Sequence, residues 1–187
     1  MNATAKQLRG NSSYAHRGMS FQAEIDATNE GYELMRVASV YEVPTPCKIV
    51  NIKDEPTIIK QKSAVDYLGT WKGHGALAIE AKSASGQSWA LSNLQEHQLD
   101  FLMRWHSCGA ITGILLRFEL TRRTYWLPLE ELQCYIERAK RGGRKSISEA
   151  EIAEGLRVRG TRRCSMDYLA TIEGVMGNGT ASANNRS

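Results

Sequence analysis

Glu80-Ala81-Lys82 places a carboxylate and an ammonium two residues apart in the run Ala76 to Lys82. That run reads as a β-strand, and strand alternation sets Leu77, Ile79 and Ala81 on one face and Ala76, Ala78, Glu80 and Lys82 on the other. A second strand, Val65 to Trp71, reaches it through Lys72-Gly73-His74-Gly75, whose glycines permit a tight reversal. If the hairpin pivots on Gly73, Asp66 falls opposite Glu80, and residues paired in this way point to the same face. Two neighbouring carboxylates repel unless a cation lies between them, and a hard, oxygen-seeking ion such as Mg2+ or Mn2+ suits such a pair. An adjacent lysine can then orient water and stabilise charge on a pentacovalent phosphorus, so the set fits phosphodiester hydrolysis. An exposed ion pair on an edge strand would show the same three letters. The Asp66 register and the alanines around Glu80 are what favour the metal site.

Gln98 lies four residues after Leu94 and three before Phe101, on or beside the apolar stripe of a second helix that also carries Leu102 and Trp105. Its amide is expected either to ligate a metal or to form an inner hydrogen bond. Ser92, with Gln95 three residues on, reads as the capping box of that helix. His97 and His106 have no partner at metal spacing and read as surface or packing residues. Cys47, Cys108, Cys134 and Cys164 are scattered without a C-x-x-C pair and read as reduced thiols.

The elements that must position these residues follow from the periodicity. Residues 1–16 read as a flexible basic arm, and Ser20 caps a first amphipathic helix carrying Phe21, Ile25, Tyr32 and Met35. Ser39 to Val43 and Cys47 to Ile52 read as strands, with a polar excursion over Lys53 to Ser63. Ile111 to Leu120 is a near-continuous apolar strand, expected to be central, with Arg122 to Leu127 as its hairpin partner. Leu129 to Arg141 is a third helix closed by Gly142-Gly143, and 171–187 is expected to be a disordered tail. The order predicts a single α/β (α+β) domain over 17–170, a mixed sheet flanked by helices.

Hydrophobic content of 42% and charged content of 24% over 187 residues fit one soluble domain. No apolar run is long enough to span a bilayer, and Met1 to Lys6 lead into polar residues rather than a signal peptide, so a cytoplasmic protein is expected. The net charge is +4, yet Arg138 to Arg163 holds nine Lys/Arg against three Glu. Such a segment reads equally as a polyanion footprint or as solvated surface.

In order along the chain, Arg17-Gly18-Met19, Pro44-Thr45-Pro46-x-x-Ile49-Val50, Val65-Asp66-Tyr67-Leu68-Gly69, Glu80-Ala81-Lys82, Leu91-x-Asn93-Leu94-x-x-His97-Gln98 and Gly143-Arg144-Lys145-Ser146-Ile147 resemble the RecU family of Holliday-junction resolvases, members of the PD-(D/E)xK nuclease superfamily. The resemblance implies a restriction-endonuclease-like core and Mg2+, with Mn2+ as a substitute, bound by Asp66, Glu80 and Gln98. Lys82 would then stabilise the transition state, and Glu24 would serve as a further acid. It implies a homodimer that cuts opposed strands of a four-way DNA junction in bacterial or phage recombination and repair, with Arg9, Arg17, Arg141, Arg144 and Lys145 on the DNA and a recombinase as a further candidate partner. Three departures stand out. Ala64 occupies a position where the family usually has a threonine ligand, the stalk segment 53–63 is short, and the basic C-terminal third matches loosely. These keep two alternatives open: a nuclease on flapped or duplex DNA, and a catalytically weakened DNA-binding or recombinase-modulating protein.

Overall fold

The computed structural model describes residues 20–44, 47–52, 55–60 and 64–183. Helix α1 (Phe21–Leu34) starts at Ser20, whose hydroxyl accepts from the Ala23 amide at 3.2 Å, and it buries Ile25, Thr28, Asn29 and Tyr32 at helical spacing. Strand β1 (Ala38–Glu42) follows, then β2 (Cys47–Ile52), β3 (Glu55–Lys60), β4 (Tyr67–Trp71), β5 (Gly75–Ala84) and the short β6 (Ser88–Ala90). Helix α2 (Glu96–Ser107) leads to β7 (Ile111–Phe118) and β8 (Arg123–Pro128). Helix α3 (Leu129–Lys140), β9 (Ser146–Ser148), β10 (Arg157–Val158) and α4 (Tyr168–Ala183) complete the order.

Six strands form one sheet in the order β1-β4-β5-β7-β8-β10. Its neighbours are antiparallel except β5 and β7, which run parallel because α2 carries the chain back across the sheet between them. β7 is central, and its apolar run is buried along nearly its whole length, as a strand covered on both faces must be. One face carries Ala78, Ile114 and Leu116 beneath Leu102 of α2 and Leu132 of α3. The other carries Tyr67, Leu77, Ile79 and Leu115 beneath Ile25 and Tyr32 of α1 and Leu169 and Ile172 of α4. The result is three layers, helices on a mixed sheet on helices, as the order of elements predicts.

Four local expectations are corrected. The excursion expected over 53–63 begins earlier: β2 does not join the main sheet but pairs with β3 in a separate two-stranded ribbon, from Cys47↔Lys60 to Ile52↔Glu55. The cap of α2 is Gln95 rather than Ser92, which lies in a preceding 3-10 turn, Leu91–Asn93. β7 stops at Phe118, and the chain reverses through a turn in which Arg122 adopts φ 56°. Residues expected as tail from 171 onward are helical to Ala183, because Tyr168, Leu169 and Ile172 are buried against α1 and the sheet and Asp167 Oδ1 accepts from the Ala170 amide at 3.2 Å. Glycines at 174, 177 and 179 are poor helix formers, and packing at the helix start outweighs them.

Candidate active site

The β4–β5 register pairs Tyr67 with Ile79, Leu68 with Ala78 and Trp71 with Gly75, so the hairpin is centred on Gly73 as its spacing suggests. Gly73 and Gly75 adopt φ of 82° and 103°, the left-handed region that a reversal this tight requires. Asp66, one residue before β4, therefore lies at the position opposite Glu80. Its Oδ2 accepts from the Ala81 amide at 2.9 Å, which fixes the carboxylate against β5.

Behind Glu80 the parallel β7 supplies Ile114 and Leu116 as an apolar wall, in register with Glu80 and Lys82. Glu80 is fully buried, whereas the Lys82 side chain is 19% exposed. The Lys82 ammonium lies 2.7 Å from Glu80 Oε1, and Gln98 Nε2 donates to the same oxygen at 2.5 Å. Among the described residues no donor reaches the buried Glu80 Oε2, and a hydrogen bond with the Asp66 carboxylate forms only when the two groups share a proton. Burial and then the Asp66 charge push the Glu80 carboxyl up from 4.5 to about 7, against the opposing pull of Lys82.

An orphaned buried carboxylate oxygen beside a second carboxylate is the environment a hard cation satisfies, since Mg2+ is held by one or two carboxylates with waters completing its shell. Among the described residues no cluster of three or more His, Cys, Asp and Glu is arranged to hold a metal, which sets aside a zinc-type cage. Asp66 and Glu80 thus fit a magnesium-type ion. Ala64 contributes no side-chain oxygen.

The raised carboxyl makes stability depend on pH. Between about pH 4.5 and 7 the folded metal-free protein keeps a proton that the unfolded chain has released, so stability falls as pH rises through that window. The displacement corresponds to about 3 kcal/mol. Thermal unfolding of the metal-free protein should drop in midpoint across the window, Mg2+ should recover the loss above it, and Glu80→Gln should remove the dependence. A midpoint equally pH-dependent in Glu80→Gln would show that another group is responsible.

The remaining expected residues are distributed as follows. Gln98 reaches the site, where its Oε1 accepts from Lys82 Nζ at 3.2 Å and from the Gln95 amide at 3.1 Å. Glu24 does not join the carboxylate pair. Its oxygens take Arg117 at 3.0 and 2.6 Å and Arg122 at 2.8 Å, and Arg117 is in register with Ser83, on the sheet face opposite Glu80 and Lys82. Arg141, Arg144 and Lys145 are exposed after α3, with Arg144 bonded to the hydroxyls of Ser146 and Ser88. Arg9 and Arg17 lie outside the described residues. Sequence reasoning missed Arg117, a buried guanidinium in a strand read as near-continuously apolar, although a single charge in such a run is itself a signal that a partner must exist.

The family profile "RecU: Recombination protein U" matches residues 16–174. The Holliday junction resolvase RecU of Bacillus pumilus is 35% identical over 81% of this chain and 77% of its own length. That of Geobacillus sp. strain WCH70 is 31% identical over 94% and 90%. Among solved structures, Archaeoglobus fulgidus Hjc, a Holliday junction resolvase, matches with a TM-score of 0.43 and 16% identity over 70% of this chain and 89% of that one. With the profile spanning most of its length and relatives above 30% identity along nearly all of it, the chain belongs to the RecU family.

Proposed function

We propose that the chain is a metal-dependent endodeoxyribonuclease that resolves four-way DNA junctions, as the names of its RecU relatives describe for them. The observation that carries this reading is the buried Glu80, with one oxygen on Lys82, no donor to the other among the described residues, and the Asp66 carboxylate alongside. Asp66 and Glu80 would hold Mg2+ or Mn2+, which when bound supplies a Lewis acid and an acidified water.

The chain's own residues do the rest. The Ala81 amide orients Asp66, and the apolar wall of β7 excludes water behind Glu80, which strengthens every charge interaction in front of it. Lys82, partly exposed and anchored by Glu80 and Gln98, presents its ammonium to charge developing on a non-bridging phosphate oxygen. A homodimer would set two such sites about a twofold axis, the symmetry needed to cut paired strands.

A four-way junction assay tests this reading. Paired nicks that require Mg2+ or Mn2+ are expected; junction binding without nicks would leave the recombinase-modulating alternative, and equal cutting of linear duplex would remove junction specificity. No described helix is long and apolar enough to cross a membrane.

The exposed cluster Arg141, Arg144 and Lys145 is proposed to bind backbone phosphates. Replacing all three with alanine should weaken junction binding and lower its salt slope by about one unit for each phosphate that is no longer neutralised. A titration over salt that returns the wild-type slope would refute a DNA role for this cluster.

A further inference from the structure

Gln98 lies between groups of opposite hydrogen-bonding sense. Among the described residues, the groups bonded on one side of its amide are donors, the Gln95 backbone N–H at 3.1 Å and the Lys82 ammonium at 3.2 Å. On the other side the bonded group is an acceptor, Glu80 Oε1, at 2.5 Å. A backbone N–H and an ammonium cannot accept, and a carboxylate oxygen bonded to Lys82 does not donate. Turning the amide over would press its NH2 against two donors and its oxygen against a carboxylate, so the neighbours fix the orientation.

The oxygen is further committed by the helix. Gln95 is the N-cap of α2, and its backbone N–H is returned a bond by the Gln98 side chain while its own side chain accepts from the Gln98 backbone. This reciprocal capping box satisfies the Gln95 N–H, which precedes the helix and meets no intrahelical carbonyl. Gln98 is buried to 9% exposure, leaving water little access to replace the bond if Oε1 swung away.

We propose that Gln98 is a positioning residue that locks Glu80 Oε1 and the Lys82 ammonium in place through its amide, rather than a metal ligand through Oε1. The proposal rests on reading the site as a metal-dependent nuclease and departs from the ligand set that the resemblance implies. Among the described residues it leaves Oε2 as the Glu80 oxygen that no donor occupies, the oxygen through which Glu80 would engage a cation.

Two measurements on the full chain test this without relying on cleavage. With glutamine carbon and nitrogen labelled, the Gln98 carboxamide protons should exchange slowly in the metal-free protein. On adding Mg2+ the Gln95 amide should stay protected and the Gln98 carbonyl carbon should hold its shift. Loss of Gln95 protection with a large carbonyl shift would make Oε1 a ligand and overturn the proposal. So would carboxamide protons that exchange as fast as those of an exposed glutamine.

Calorimetry with Mn2+ is the second arm. Gln98→Met should weaken binding by about tenfold, the low end of the range for a group outside the ligand shell, whereas Asp66→Asn should abolish it. Equal losses would place Gln98 among the ligands. Wild-type protein that takes up no Mn2+ would instead overturn the metal-site reading and the single-oxygen engagement with it, while the exchange experiment still decides the amide orientation.

Discussion

Lys82→Ala should cut junction cleavage by about 10²–10³-fold, the loss that follows removal of one preorganised donor to developing charge, while junction affinity stays close to wild type. The separation follows from where the lysine lies. Its ammonium is anchored on Glu80 and Gln98 and is mostly covered, so it adds little to a footprint made by many phosphate contacts along exposed basic surface. Single-turnover cleavage and gel-shift titration on the same junction read the two quantities independently. If affinity fell in step with rate, Lys82 would be a binding residue and the transition-state role would be lost. Removing it also leaves Glu80 deep in the sheet without the cation it pairs with, so a denaturation curve should accompany the kinetics.

The second large effect is expected far from the chemistry. Glu24→Ala should cost about 3–5 kcal/mol of stability, because it strands the buried Arg117 without its carboxylate. Arg117 is enclosed by Glu24, the Thr124 hydroxyl at 3.0 Å, the Met166 sulfur at 3.6 Å and the Phe21 ring at 4.6 Å. The pair ties α1 to the centre of the sheet, and Arg122 adds a third, more exposed arm. Replacing both partners together, Glu24→Leu with Arg117→Met, should recover much of the loss, since apolar groups of similar volume need no solvation. Urea midpoints compare the three proteins directly. A Glu24→Ala protein as stable as wild type would return Glu24 to the role of a free acid, available for chemistry.

What the sequence made legible here depended on how local the governing rule was. The Asp66–Glu80 pairing could be read because a hairpin with glycines at its turn obeys a period of two, and two positions then follow from one pivot. The centrality of β7 could be read from its near-continuous apolar run. The partner of Glu24 could not, since Arg117 lies 93 residues away in sequence and only the folded sheet brings them together. Nor could the α4 helix, whose glycine-rich composition speaks against it while buried Tyr168 and Ile172 decide for it. β2 offered a valid strand pattern, but nothing local distinguishes joining the main sheet from folding onto β3. Gln98 lies against Glu80 and Lys82, yet its orientation depends on the cap of its own helix, which the sequence reading assigned to Ser92 rather than Gln95.

The connection from Trp71 to Gly75 is a surface turn, the kind of segment that ordinarily accepts insertions at little cost. In this chain its length carries chemical information. One residue more, absorbed as a shift of β4 against β5, would keep the hydrogen-bonded ladder and the hairpin while carrying Asp66 to the far side of the sheet, away from Glu80. A spacer remote from the carboxylates thus acts as the ruler of their pairing. Libraries that vary this loop should yield folded proteins whose activity depends on whether the added residues preserve the parity of the strand.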